Sequence, residues 1–131
     1  MSYRVKLNVF EGPFDLLVYL IEHARMSIYD IQISEITTQY INYVKQMEEA
    51  DIVVSAEFMV LAAELLEIKS KMLLPRADIE DIEGGVYEDP RTELVQKLKE
   101  YKKFKAISAM LEERREDALK ALEKPQEDLA E

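Results

Sequence analysis

His23 is the one imidazole in a chain of 131 residues that has no cysteine. Any proton transfer, metal binding or nucleophilic attack must therefore draw on carboxylates, amines and hydroxyls. A lone His beside Glu22 has the pattern of a surface or structural residue. Acid–base work needs a second positioned group, and a metal needs several convergent ligands. Carboxylates are plentiful, but Glu64 and Glu67 have the spacing of a solvated helix face, with nothing to desolvate them and shift a pKa. Gly84-Gly85 sits among acids with no following Gly-Lys-Ser/Thr, so no phosphate loop is present, and no nucleophile elbow occurs. These residues predict no enzyme, no metal site and no cofactor.

The lysines are the remaining candidates. Lys97, Lys99, Lys102, Lys103 and Lys105, interleaved with Tyr101 and Phe104, could touch phosphates. Glu93 and Glu100 dilute that patch, and the net charge of -10 repels free nucleic acid. The simpler reading is a solvated flank framing an apolar stripe. A helical nucleic-acid-binding protein using the Lys97–Lys105 face stands as the alternative function.

The elements that position these residues are helices. Hydrophobic residues make up 48% of the chain, with only 3 glycines and 4 prolines, a mixture that favours long helices over sheet. The expected fold is mainly α: a short N-terminal strand, a three-helix domain, an acidic linker and a long amphipathic helix. The N-terminus lacks an apolar h-region and no apolar run approaches the ~20 residues of a membrane span, so a cytoplasmic protein is expected.

Tyr3, Val5, Leu7 and Val9 alternate with Arg4, Lys6 and Asn8, which predicts a strand or an extended arm that must pair within or between chains. Gly12-Pro13 opens a first helix whose face is Phe14, Leu17, Val18, Leu20, Ile21 and Ala24. A turn with Ile28, Ile31 and Ile33 follows and should pack down. Ser34 is the expected cap of a second helix, with Ile36, Tyr40, Tyr43 and Met47 in a heptad-like seam ending near Glu48-Glu49-Ala50-Asp51.

The third helix, from the Ser55 cap to Leu74, carries two seams. Phe58, Leu61, Leu65, Ile68 and Met72 form one; Met59, Ala62, Leu66 and Leu73 form the other. Together they span about 220° of arc, roughly double one buried face. Either the helix is enclosed by its own domain or one seam belongs to a partner. Two other helices are too few for easy enclosure, which favours the partner. Met59, Ala62, Leu66 and Leu73 are taken as the partner seam, with the reverse assignment, Phe58, Leu65 and Met72 outward, left open.

Residues 1–75 thus form a helical domain, and 76–89 an acidic linker containing Asp78, Glu80, Asp81, Glu83, Glu88 and Asp89. Asp89-Pro90 starts an amphipathic segment over 90–124, and 125–131 form a charged tail. Leu94, Leu98, Tyr101, Phe104 and Leu111 lie on its drifting stripe. Separated from the first core, that stripe wants a groove on another protein or a place against the third helix.

Several of these segments together resemble one family. Phe10-Glu11-Gly12-Pro13-Phe14-Asp15-Leu16-Leu17 is similar to the opening of ScpA, the kleisin of bacterial SMC condensin complexes. Ile28-Tyr29-Asp30-Ile31, Ile36-Thr37-Thr38-Gln39-Tyr40, the third helix from Ala56-Glu57-Phe58 to Leu74-Pro75, Asp89-Pro90-Arg91 and Glu100-Tyr101-Lys102-Lys103-Phe104-Lys105 follow in the family's order. Phe14 stands where Leu is usual and Gln32 where Pro is usual; both departures are conservative.

The resemblance implies a non-catalytic adaptor for chromosome condensation and segregation, associated with the nucleoid. Its N-terminal domain would contact the coiled-coil neck of an SMC subunit through Met59, Ala62, Leu66 and Leu73. Its middle segment would contact a ScpB dimer through Leu94, Leu98, Tyr101, Phe104 and Leu111, and DNA only indirectly through the complex. The family's C-terminal winged-helix domain has no counterpart here, so a fragment of the full bridge is expected. Exposed seams also raise a homodimer of the isolated fragment.

Overall fold

A computed structural model describes residues 10–74 and 88–123. The expected strand lies outside the described residues apart from Phe10, as do the linker apart from Glu88 and Asp89, and the charged tail. Four helices make up the described chain: α1, Pro13–His23; α2, Ile33–Glu49; α3, Ala56–Leu73; and α4, Thr92–Glu123. The protein is mainly α.

Gly12 stands at the N-cap of α1 with extended backbone, and Pro13 takes the first turn, where its missing N–H costs nothing. The Asp15 carboxylate accepts from the Glu11 amide at 3.2 Å. Leu16, Leu17, Val18, Leu20 and Ile21 are buried. Leu17, Val18, Leu20 and Ile21 are thus where the apolar spacing put them, Leu16 joins them, and Phe14 and Ala24, expected on the same face, are only half-buried at its two ends.

Both α1 and α2 end in the same device. Ala24 and Ala50 are the C-caps, and the next residues, Arg25 and Asp51, have φ of 57° and 61°. The Met26 amide reaches the Ile21 carbonyl at 3.0 Å and the Arg25 amide the Glu22 carbonyl at 3.0 Å. Ile52 to Met47 at 2.9 Å and Asp51 to Glu48 at 3.1 Å repeat the pattern. This is the Schellman arrangement, in which a left-handed residue closes off orphan carbonyls. Arg25 carries a Cβ penalty that Gly would not. Arg25→Gly is expected to stabilise the fold by about 1 kcal/mol, read as a higher urea midpoint at unchanged m-value.

The turn between α1 and α2 is packed, as its isoleucines predict. The Ser27 hydroxyl accepts from the Tyr29 amide at 3.1 Å and the Ser27 carbonyl from the Asp30 amide at 3.1 Å, while Ile28 and Ile31 are buried. Helix α2 begins one residue before the expected cap. Gln32 holds the cap position without a side-chain bond, and Ser34 lies inside the first turn, its carbonyl accepting from the Thr38 hydroxyl at 3.0 Å.

The α2 seam also differs from the heptad reading. Ile33, Ile36, Thr37, Tyr40, Val44 and Met47 are buried, whereas Tyr43 is only half-buried. Its ring lies 5.5 Å from Phe10 and 6.3 Å from Tyr19, so it serves an aromatic cluster at the side of the bundle. At 3.6 residues per turn, Val44 fits the α1- and α3-facing stripe better than Tyr43 does.

Tyr40 ties α2 to α3. It is fully buried, and its hydroxyl donates to the Phe58 carbonyl at 2.9 Å. Burial pushes its pKa well above the usual phenol range, which keeps it a neutral donor. That bond joins α2 to the first turn of α3, whose Phe58, Leu61 and Leu65 are buried.

The chain divides into two bodies between Leu98 and Lys99, inside α4. The start of α4 belongs to the first body, the second of the two places expected for its stripe, against α3. Leu94 and Leu98 are buried. The Arg91 guanidinium donates to the Ile31 carbonyl at 2.9 Å and pairs with Asp30 at 3.1 Å and Asp89 at 2.8 Å. Lys97 pairs with Glu64 of α3 at 3.4 Å. Its hydrogen bonds to Arg91 hold the Asp89 carboxyl below the usual carboxylate range, as charge-assisted bidentate pairing requires.

Candidate functional site

His23 is exposed and lies ring to ring with Tyr19, centroids 4.0 Å apart. Among the described residues no group of three or more His, Asp or Glu could hold a metal ion. Among them, too, no helix is long and apolar enough to cross a membrane. Lys97 is committed to Glu64, which removes one of the five lysines from the proposed basic face. What the described surface offers is apolar area on helices.

The first such area is on α3. Phe58, Leu61 and Leu65 are buried, and Phe58 is fixed by the carbonyl that Tyr40 holds. One residue round the helix, Met59, Leu66 and Leu73 are exposed, Leu66 at 47% and Leu73 at 70%, with Ala62 half-buried between them. The reverse assignment, with Phe58 and Leu65 outward, conflicts with their burial. Met72 is the exception within the inward seam: it is exposed, and Ile68 is half-buried. Toward its C-terminal end α3 therefore shows apolar side chains from both seams. Leu74 at the C-cap is exposed as well, and Val60 is exposed about 100° or more round the helix from this strip.

Polar residues border it. Lys71 pairs with Glu67 at 3.4 Å within the helix, both well exposed. The α3 surface is thus an apolar strip with charged side chains at its margin.

The second area is on α4 from Tyr101 onward. Phe104 is 67% exposed, and Ile107, Met110, Leu111, Leu119 and Leu122 are exposed as well; Tyr101 is half-buried. A helix whose described residues from Lys102 to Glu123 are all exposed buries almost none of its apolar stripe within its own chain. Two of the five residues expected on a partner do not join this surface. Leu94 and Leu98 are closed into the first body, Leu98 with 0% exposure, because Arg91 and Lys97 bring the first turns of α4 down onto the α1–α2 turn and α3. Ile107 and Met110 are the residues the stripe reading missed; a three- and four-residue count from Phe104 and Leu111 would have found Ile107.

The family profile described as Segregation and condensation protein ScpA matches residues 20–131. Segregation and condensation protein A of Bacillus velezensis is 47% identical over 133 residues, covering 100% of this chain and 53% of the relative. Its counterpart in Bacillus subtilis is 46% identical over 132 residues, covering 99% and 53%. That of Caldanaerobacter subterraneus is 51% identical over 109 residues, covering 83% and 44%. The chain spans about half the length of these curated relatives. With the profile covering all of α2, α3 and α4, this chain belongs to the ScpA family of segregation and condensation proteins.

Proposed function

We propose that this chain is a non-catalytic adaptor segment for chromosome segregation and condensation, joining the coiled-coil neck of an SMC subunit to a dimer of ScpB. The observation that carries this is the presence of two separate exposed apolar helix faces, one on α3 and one on α4 beyond Leu98. An adaptor needs two independent docking surfaces, and a helix strip of this kind fits beside other helices or in a groove.

Met59, Ala62, Leu66 and Leu73 are the neck-facing residues in this reading, with Met72 beside them. Tyr101, Phe104 and Leu111, joined by Ile107, are the ScpB-facing ones. Leu94 and Leu98 hold the segment to its own domain instead. Contact with DNA is indirect, through the complex, and the place of action is the cytoplasm at the nucleoid.

Three-component capture tests the bridge. With an SMC head-plus-neck fragment immobilised, ScpB should be retained only when this chain is added. Binary mixtures should show each partner bound alone. Mutual exclusion of the SMC fragment and ScpB, or failure of either binary capture, would overturn the proposal.

A further inference from the structure

We infer that the exposed stripe of α4 also fits a second copy of this chain, paired antiparallel with its centre between Ser108 and Leu111. From Tyr101 onward the stripe steps by three and four: Tyr101, Phe104, Ser108, Leu111, Arg115 and Ala118. That is a heptad seam of large and small residues in opposing halves. Phe104, Ser108, Leu111, Arg115 and Ala118 are all exposed, so the seam is uncovered along this length.

Orientation follows from what each alignment brings together. In a parallel pair Arg115 would meet Arg115, Ser108 would meet Ser108, and the lysines between Lys99 and Lys105 would lie side by side. An antiparallel pair instead sets Leu111 against Ser108 and Tyr101 against Ala118, large against small. It lays the Arg115 guanidinium against the Phe104 ring, a favourable cation–π placement. In the same register the flanking Lys105 of each copy faces Glu112 of the other, and the two-fold axis makes that pair twice. The lysine-rich turns then lie along turns that hold Glu112, Glu113, Glu116 and Asp117 but also Arg114, Arg115 and Lys120, so the charge complementarity rests on the two Lys105–Glu112 pairs. Complementary charge fixes register and direction more than strength. With Ser108 and Arg115 in the seam the dimer is weak.

The pairing uses the stripe assigned above to ScpB, yet it stands or falls separately from that assignment. The test uses the 131-residue chain in sedimentation equilibrium up to about 100 μM, where weak micromolar pairing is populated. A reversible monomer–dimer equilibrium is expected. Lys105→Glu should weaken it by about fivefold or more, since two attractive pairs become repulsive, and Lys105→Glu with Glu112→Lys should restore it. The chain has no cysteine, so Ser108→Cys and Leu111→Cys variants mixed together should form the mixed disulfide in preference to either homodisulfide. A strictly monomeric chain, or a preference for the Leu111→Cys homodisulfide, overturns the antiparallel dimer. An unsubstituted chain that captures ScpB yet stays monomeric sinks this inference alone; one that dimerises yet does not capture ScpB sinks only the ScpB assignment.

Discussion

Leu66→Glu is expected to abolish capture by an SMC head-plus-neck fragment while leaving the fold intact. Leu66 is 47% exposed in the isolated chain, so a carboxylate there meets water and costs the fold little. Against a neck helix the same carboxylate loses the burial of a large apolar side chain, ~1.5–3 kcal/mol, and must shed its hydration as well. The sum is a loss on the order of a hundredfold or more in affinity. Leu65→Glu is the contrasting variant. Leu65 has no exposure, and a carboxylate buried there should unfold α1–α3, visible as loss of a cooperative thermal transition. Titration calorimetry with the neck fragment, beside circular dichroism, reads both. A folded Leu66→Glu protein that binds the neck normally would remove α3 from the interface.

That contrast shows what the sequence carries and what it does not. Period and composition are local, so the helices, their apolar faces and the packed isoleucine turn are legible from spacing alone. The doubled seam of α3 is legible too, but not which half faces inward. Both halves are similarly apolar, and the choice lies in contacts between helices, the burial of Phe58, Leu61 and Leu65 and the Tyr40 hydroxyl on the Phe58 carbonyl among them. Val44 in place of Tyr43 in the core has the same origin, because Phe10 and Tyr19 draw the tyrosine ring sideways. The start of α4 is the largest departure. Its attachment depends on Arg91 meeting Asp30 and the Ile31 carbonyl, partners about sixty residues earlier, and no pattern within the helix encodes them. Leu94 and Leu98 read from sequence as one stripe with Phe104 and Leu111; only the long-range pairing divides the stripe into a docked part and an open part.

The division makes a second strong prediction, for ScpB. Phe104→Ala together with Leu111→Ala should abolish co-elution with ScpB, because both side chains are exposed in the free chain and would be the buried anchors of the contact. Large apolar anchors typically dominate such interfaces, and each truncation costs about 2 kcal/mol or more at a hot spot. Neck binding should be unchanged, since α3 is untouched, and the thermal transition of the first body should hold. Leu98→Ala should act in the opposite place. Its side chain fills the first body, so the cost, about 2–5 kcal/mol for a buried Leu, falls on the docking of α4 and on stability. If ScpB reads only the open stripe, Leu98→Ala keeps most of its ScpB affinity while melting lower. Should Leu98→Ala lose ScpB as completely as the double variant, with the fold retained, then the partner must draw the first turns of α4 out of their pocket. The Arg91 pairs with Asp30 and the Ile31 carbonyl would then be contacts broken on binding, and Arg91→Ala would tighten ScpB rather than leave it alone. If instead the double variant loses ScpB and the SMC neck together, the two faces are not independent and the adaptor reading fails at its base.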